Sequence, residues 1–111
     1  AYLLGWTGDY DAAFNFIGTF FGNLKENDFG TKVMAWGKQL ADDLQAADAI
    51  VDEAERATAF ETINQQIMEE YLPGLPTSHS PPALVVGPDV EGLIPSPLTA
   101  EEFDTVSFGG R

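Results

Sequence analysis

Residues 33–73 read VMAWGKQLADDLQAADAIVDEAERATAFETINQQIMEEYLP, and this stretch sets the fold. Val33, Trp36, Leu40, Leu44, Ala47 and Val51 recur at three- and four-residue spacing, which puts them on one helix face. Asp42, Asp43, Gln45 and Asp48 take the opposite face. Gly37 leaves the start of this helix anywhere between Thr31 and Lys38. Asp52 is a capping residue, and Glu55 three positions later completes a capping box for a second helix. That helix carries Phe60, Ile63, Ile67 and Tyr71 as its apolar stripe. It stops before Pro73, because proline disfavours the α conformation in the residue ahead of it. The reading is two antiparallel helices joined near residues 50–52.

Towards the N-terminus, residues 1–36 are rich in Gly and aromatics. Residues 2–6 read as a short buried strand, ended by the turn formers Gly8 and Asp9. Residues 12–21 form a short helix with Phe16, Ile17, Phe20 and Phe21 on its buried side, weakened by Gly18 and Gly22. Residues 23–27 read as an exposed loop. Towards the C-terminus, all seven prolines fall between Pro73 and Pro97. Residues 83–86, 90–94 and 105–108 are strand candidates. Prolines 81, 82, 88, 95 and 97 restrict them to short or edge strands. Strand, helix, helix pair and short strands make an α/β chain, with the proline-bearing last part set apart by composition.

A chain of 111 residues has room for one domain with one core. Its 44% hydrophobic and 12% aromatic content is too high for a disordered segment. The 5 Lys and Arg against 18 Asp and Glu give a net charge of −13. Phosphate backbones and anionic lipid surfaces are bound through clustered cations, so nucleic acid is excluded as a partner and anionic membranes are disfavoured. Cysteine is absent, which removes disulfides, thiolate zinc sites and thiol nucleophiles together. The uncharged stretch 12–24 is too short and too polar for a bilayer, which needs ~20 apolar residues. Ala1 opens directly onto a strand-like run with no signal-peptide pattern, so the expectation is a chain that begins inside something longer or has been processed.

Few residues carry chemistry. Asp9 and Asp11 lie in one turn beside Trp6 and Tyr10. Catalytic carboxylates need environments that split their pKa values, which this spacing does not supply. A calcium loop would need a later Gly and Glu. Two readings stay open: a solvated turn, or a carboxylate with aromatic walls that receives a cation. His79, the single histidine, sits between Ser78 and Ser80 without a G-x-S-x-G elbow, and reads as a structural or surface histidine. One His and scattered carboxylates make a metal site improbable. The acidic face of 42–70 is a solvated surface, and its apolar stripes are core with no cofactor box. The chemistry favours a binding module over an enzyme.

A resemblance sharpens this. Leu4-Gly5-Trp6-Thr7-Gly8-Asp9-Tyr10, followed by Phe14-Asn15-Phe16, resembles a signature of the family 5 extracellular solute-binding proteins, the dipeptide- and oligopeptide-binding components of ABC importers. Asp52-x-x-x-Arg56-x-x-x-Phe60 resembles a D-x-x-x-R-x-x-x-[YF] helix of that family. Tyr71-Leu72-Pro73-Gly74-Leu75-Pro76-Thr77-Ser78-His79 resembles its P-x-[IL]-P-x-x-H exit into a strand. Val90-Glu91-Gly92, Pro95-Ser96-Pro97 and Phe103-Asp104-Thr105-Val106-Ser107 resemble its C-terminal tail. The matches run in order along nearly all of the chain.

The resemblance implies the C-terminal part of a two-lobed periplasmic-binding-protein type II fold, several times longer than this chain. Residues 1–75 would be the end of the second, ligand-binding lobe, and 76–111 short strands and a tail returning to the first lobe. It implies no catalysis and no cofactor. The implied partners are an oligopeptide or dipeptide ligand, an ABC transporter permease and the missing N-terminal part of the same protein. The location would be extracytoplasmic, periplasmic or anchored at the outer face of the cell membrane. In peptide-binding members, the Asp of the W-x-x-D motif pairs with the ligand's α-ammonium. Here that position is Asp9, with Trp6, Thr7 and Gly8 in the same loop. One departure bears on the ligand: the family continues D-P-D after the motif, whereas this chain has Ala12-Ala13-Phe14. Related members take up nickel chelates, haem or oligosaccharides, and Trp6 would suit stacking on a sugar. From a different class, a stand-alone acidic interaction domain with the helix pair as its docking surface fits the composition.

Overall fold

The computed structural model describes residues 3–26, 29–80, 83–98 and 101–109. The chain forms two compact units, one of Ala12–Thr77 and one of Ala1–Asp11 with Ser78–Arg111. The first is helical. The second holds short strands and irregular backbone, so the described residues mix helices with few strands, in keeping with an α/β class.

In the helical unit, α1 (Ala13–Phe21), α2 (Gly37–Asp48) and α3 (Glu53–Gln66) enclose one core. Leu40, Leu44 and Ala47 from α2 meet Phe60, Ile63 and Ile67 from the α3 stripe, with Phe21 of α1 against them. Leu44 is fully buried, a contribution of roughly 2 kcal/mol by transfer alone. Phe29 stands edge-on to Phe20 and Phe21, with ring centroids at 5.1 and 5.6 Å, and closes the side of α1. Gln45 donates Nε2 to the Gly22 carbonyl at 3.0 Å, which satisfies an orphan acceptor at the end of α1 and ties it to α2.

The helix pair follows the apolar spacing. Trp36, just ahead of α2, stacks on Tyr71 beyond α3 with centroids 4.7 Å apart and planes at 12°, so the two helices run antiparallel. Asp52 caps α3 by accepting from the Glu55 amide at 2.9 Å. Arg56, one turn in, donates Nη1 to the Ile50 carbonyl at 3.2 Å. The D-x-x-x-R spacing therefore fastens the connection between the helices from both sides. Val33 and Val51 leave the α2 face: they are 79% and 93% exposed. Val33 sits in a separate 3₁₀ turn, Thr31–Val33, and extended backbone at Met34 (φ −82°, ψ 145°) breaks the register before α2 begins.

The last turn of α3 widens. Ile67–Tyr71 winds as a π-helical turn, closed by the Leu72 amide on the Ile67 carbonyl at 2.8 Å. Leu72 then takes the left-handed conformation (φ 45°, ψ 46°), and Pro73 follows. A helix this terminated cannot continue, as the proline required.

The buried side of α1 differs from expectation. Phe16 is exposed, whereas Ile17, Phe20 and Phe21 pack on the core as expected, joined by Phe14 and the buried Gly18. Gly18 is the reason. The Phe14 ring lies on it so closely that a Cβ would sit 2.4 Å from the ring, so this glycine makes a shelf for Phe14. Residues 23–26 form the expected turn, and Asn27 lies outside the described residues.

In the second unit, β1 (Val90–Glu91) and β2 (Ser107–Phe108) pair antiparallel, Val90 opposite Phe108 and Glu91 opposite Ser107. A further bridge joins Ile94 to Glu102. The strands are shorter than the 90–94 and 105–108 runs: at Gly92 the backbone turns left-handed (φ 79°) and runs so close to the Thr105 carbonyl that a side chain would have no room there. Thr105 Oγ1 donates to the Gly92 carbonyl at 2.8 Å there. The strand expected at 83–86 is irregular and exposed. So is the strand expected at 2–6, of which Tyr2 lies outside the described residues; Leu3 is 87% exposed. Among the described residues neither run is paired with a strand, and apolar character alone cannot hold an isolated strand. Among the described residues, no helix is long and apolar enough to cross a membrane.

Candidate functional site

Trp6, Thr7, Gly8 and Asp9 are consecutive, and irregular backbone leads through them into a bend at 9–12 just ahead of α1. Gly8 is buried where it carries no side chain, and this turns the neighbours outward: Thr7 and Asp9 are exposed and Trp6 is 43% exposed. Tyr10 and Asp11 are exposed on the same bend. The loop thus carries two carboxylates, Asp9 and Asp11, and two aromatic side chains, Trp6 and Tyr10, on one short run of chain. Its chemistry is that of an acceptor for cations, since a carboxylate accepts charge-assisted hydrogen bonds and aromatic faces attract ammonium groups.

The electrostatic setting has the same sign. Lys25, Lys32, Lys38 and Arg56 all belong to the helical unit, and every charged residue described in the other unit is an Asp or Glu. Lys38 is paired with Asp42 on the exposed face of α2, a contact of small energetic consequence.

His79 lies exposed in irregular backbone between Ser78 and Ser80. A general base needs a partner that orients its ring, and among the described residues His79 makes no hydrogen bond or ion pair. Nor, among the described residues, do three or more His, Asp or Glu side chains gather as metal ligands would. Two roles escaped the sequence reading. Gly18 carries the Phe14 ring, and Arg56 holds the α2–α3 connection; the D-x-x-x-R spacing was the visible signal for the second.

No family model matches the chain, and no solved structure does. The similarity is to dipeptide-binding proteins. The chain is 30% identical over 107 residues to the dipeptide-binding protein of Escherichia coli (strain K12), across 96% of this chain and 20% of that protein. It is 31% identical over 104 residues to the dipeptide-binding protein of Pseudomonas aeruginosa, across 93% of this chain and 19% of that one. The chain spans about a fifth of the length of the curated relatives it matches. Both relatives are named for binding and neither for catalysis.

Proposed function

We propose that the chain is the C-terminal part of the solute-binding component of an ABC importer, which binds peptides by their free amino terminus and delivers them to a membrane permease. The observation that carries this reading is similarity along nearly the whole chain to one fifth of two dipeptide-binding proteins. Residues 1–75 are then the end of the second lobe of a two-lobed binding protein, and 76–111 a tail returning to the first. The protein works outside the cytoplasm, periplasmic or anchored to the outer face of the membrane.

Asp9 is the anchor in this account. Taking an ammonium out of water without a partner is expensive, and a carboxylate restores the lost hydrogen bonds. Every peptide has the same terminus, so one carboxylate serves many sequences. Trp6, Thr7 and Gly8 shape the loop around it. Closure of the two lobes on the ligand is a population shift towards a state that only the liganded protein favours.

A second reading is an oligosaccharide or metal-chelate binder of the same architecture. Two features favour it: Trp6 offers an exposed ring for stacking, and Ala12-Ala13-Phe14 stands where peptide binders of the resembling family have acids and a proline. A thermal-shift screen of the longer polypeptide separates the readings, because a ligand at about 100 times its Kd stabilises by roughly 2.7 kcal/mol. Dipeptides and tripeptides should raise the melting point. A rise with sugars or nickel chelates alone moves the assignment to the second reading. A rise only with basic proteins, lost in salt, supports an acidic interaction domain and overturns both.

A further inference from the structure

The chain does not carry the counter-charge that its surface needs. Residues 12–77 hold eleven acids and four cations, and the remaining residues hold seven acids and one cation, so both units are acidic. Between Gln39 and Gly110 the single cation is Arg56, against fourteen acids, and Arg56 donates to the Ile50 carbonyl. Among the described residues of the helical unit, Lys38–Asp42 is the one ion pair. Apart from the half-buried Asp43 and Glu101, every described Asp and Glu is exposed.

Placement within the helices adds to the repulsion. Asp48 is the last residue of α2, and Glu69 and Glu70 lie in the widened turn that closes α3. The helix macrodipole makes that end negative, so carboxylates there are unfavourable, and neither closing turn has a basic residue. Glu53 and Glu55, in the first turn of α3, have the favourable position. The opposing term is small: eight apolar residues are buried among the described residues. A narrow stability margin therefore meets the self-repulsion of a compact, highly charged state.

Salt sets the range of that repulsion. The fourteen residues of α3 span about 21 Å. At ~0.01 M salt the screening length is ~30 Å, so acids at the two ends of α3 repel each other; at ~1 M it is ~3 Å, and only neighbours do. An unfolded chain holds the same charges further apart and gains less from screening. The pattern is not that of one bound ion, because among the described residues three or more His, Asp or Glu side chains nowhere gather as ligands.

We propose that the chain is built for saline surroundings, and that a diffuse layer of monovalent cations supplies the counter-charge its own side chains lack. This holds whichever ligand the protein binds.

Urea unfolding of the 111-residue chain, followed by far-UV circular dichroism, tests it, because urea leaves the ionic strength unchanged. At one fixed urea concentration, the ratio of folded to unfolded chain should rise at least about tenfold from ~0.01 M to ~1 M NaCl, and equally in KCl. The triple variant Asp48→Lys, Glu69→Lys and Glu70→Lys, three reversals of two charges each, takes the net charge from −13 to −7. It should have a higher urea midpoint than the parent at ~0.01 M NaCl, and a smaller gain on going to ~1 M. A parent ratio that NaCl leaves unchanged or lowers overturns the proposal. So does a variant with the parent's full gain, since salting-out of apolar surface would act on both alike. The full gain from ~1 mM magnesium chloride in ~0.01 M NaCl would mean a specific cation site in place of a diffuse layer, and overturns it too. Success or failure of peptide binding at Asp9 changes none of these results.

Discussion

Gly37→Ala puts a methyl group where the fold has no room for one. Gly37 is buried as the first residue of α2, and its Cβ would lie 1.8 Å from the Thr31 carbonyl oxygen and 2.8 Å from its carbon. The nearest approach that real Cβ atoms tolerate is 3.0 Å, so the backbone at Thr31 must retreat by about 1.2 Å. Thr31 is itself 2% exposed and sits in the 3₁₀ turn that sets the entry to α2. Overpacking against a buried backbone costs about 3 kcal/mol at the upper end of the usual range. Alanine returns about 1 kcal/mol through its better helix propensity. The net loss is about 2 kcal/mol, or a fall in melting temperature of roughly 8–16 °C for a domain of this size. Urea unfolding followed by far-UV circular dichroism measures it. Gly74→Ala is the control, because nothing lies within 4 Å of its Cβ, and it should be neutral or slightly stabilising. If Gly37→Ala is as stable as the parent, the close approach of Thr31 to α2 is wrong, and with it the account of where the helix pair begins.

Three further outcomes follow from the same geometry. Asp52→Ala should lose about 1 kcal/mol by removing the cap on the Glu55 amide, whereas Asp52→Asn should keep most of it; chemical denaturation of both variants decides. Leu72→Gly should be more stable than the parent by roughly 0.5–1 kcal/mol, since relief of ~1–2 kcal/mol of left-handed strain exceeds the entropy of glycine. An unchanged or lower midpoint contradicts it. A double-mutant cycle on Trp36→Leu and Tyr71→Leu should give a coupling of about 0.5–1.5 kcal/mol for the stacked rings, and additive losses would mean that the rings do not meet.

The helix pair was legible because a helical stripe is a local signal: Leu40, Leu44, Phe60, Ile63 and Ile67 are spaced by the helix itself, and Asp52 advertises the cap. Tyr71 completes the stripe, and Pro73 ends it. The strands were legible as places rather than lengths. Val90 and residues 107–108 pair, but at Gly92 the backbone turns left-handed in close approach to Thr105, thirteen residues away, which no local pattern encodes. Residues 3–6 and 83–86 have strand composition, but among the described residues no strand pairs with them, and composition carries no record of a neighbour. Gly18 was read as a weakness in α1 when it is the surface that Phe14 rests on. Of the candidate site, the aromatics and acids of the 6–11 turn were visible in the sequence as two open readings. The choice of Asp9 came from resemblance, since an exposed carboxylate looks the same whether it meets water or an ammonium group.

The central claim is that Asp9 receives a peptide's amino terminus, and calorimetry on the longer polypeptide tests it with one dipeptide in free and N-acetylated form. The account predicts that the free peptide binds, and that acetylation or Asp9→Ala each weakens binding by on the order of 100-fold, the ~3 kcal/mol lost when a buried ammonium has no partner. Equal affinity for the two forms of the peptide, or full affinity in Asp9→Ala, would contradict it.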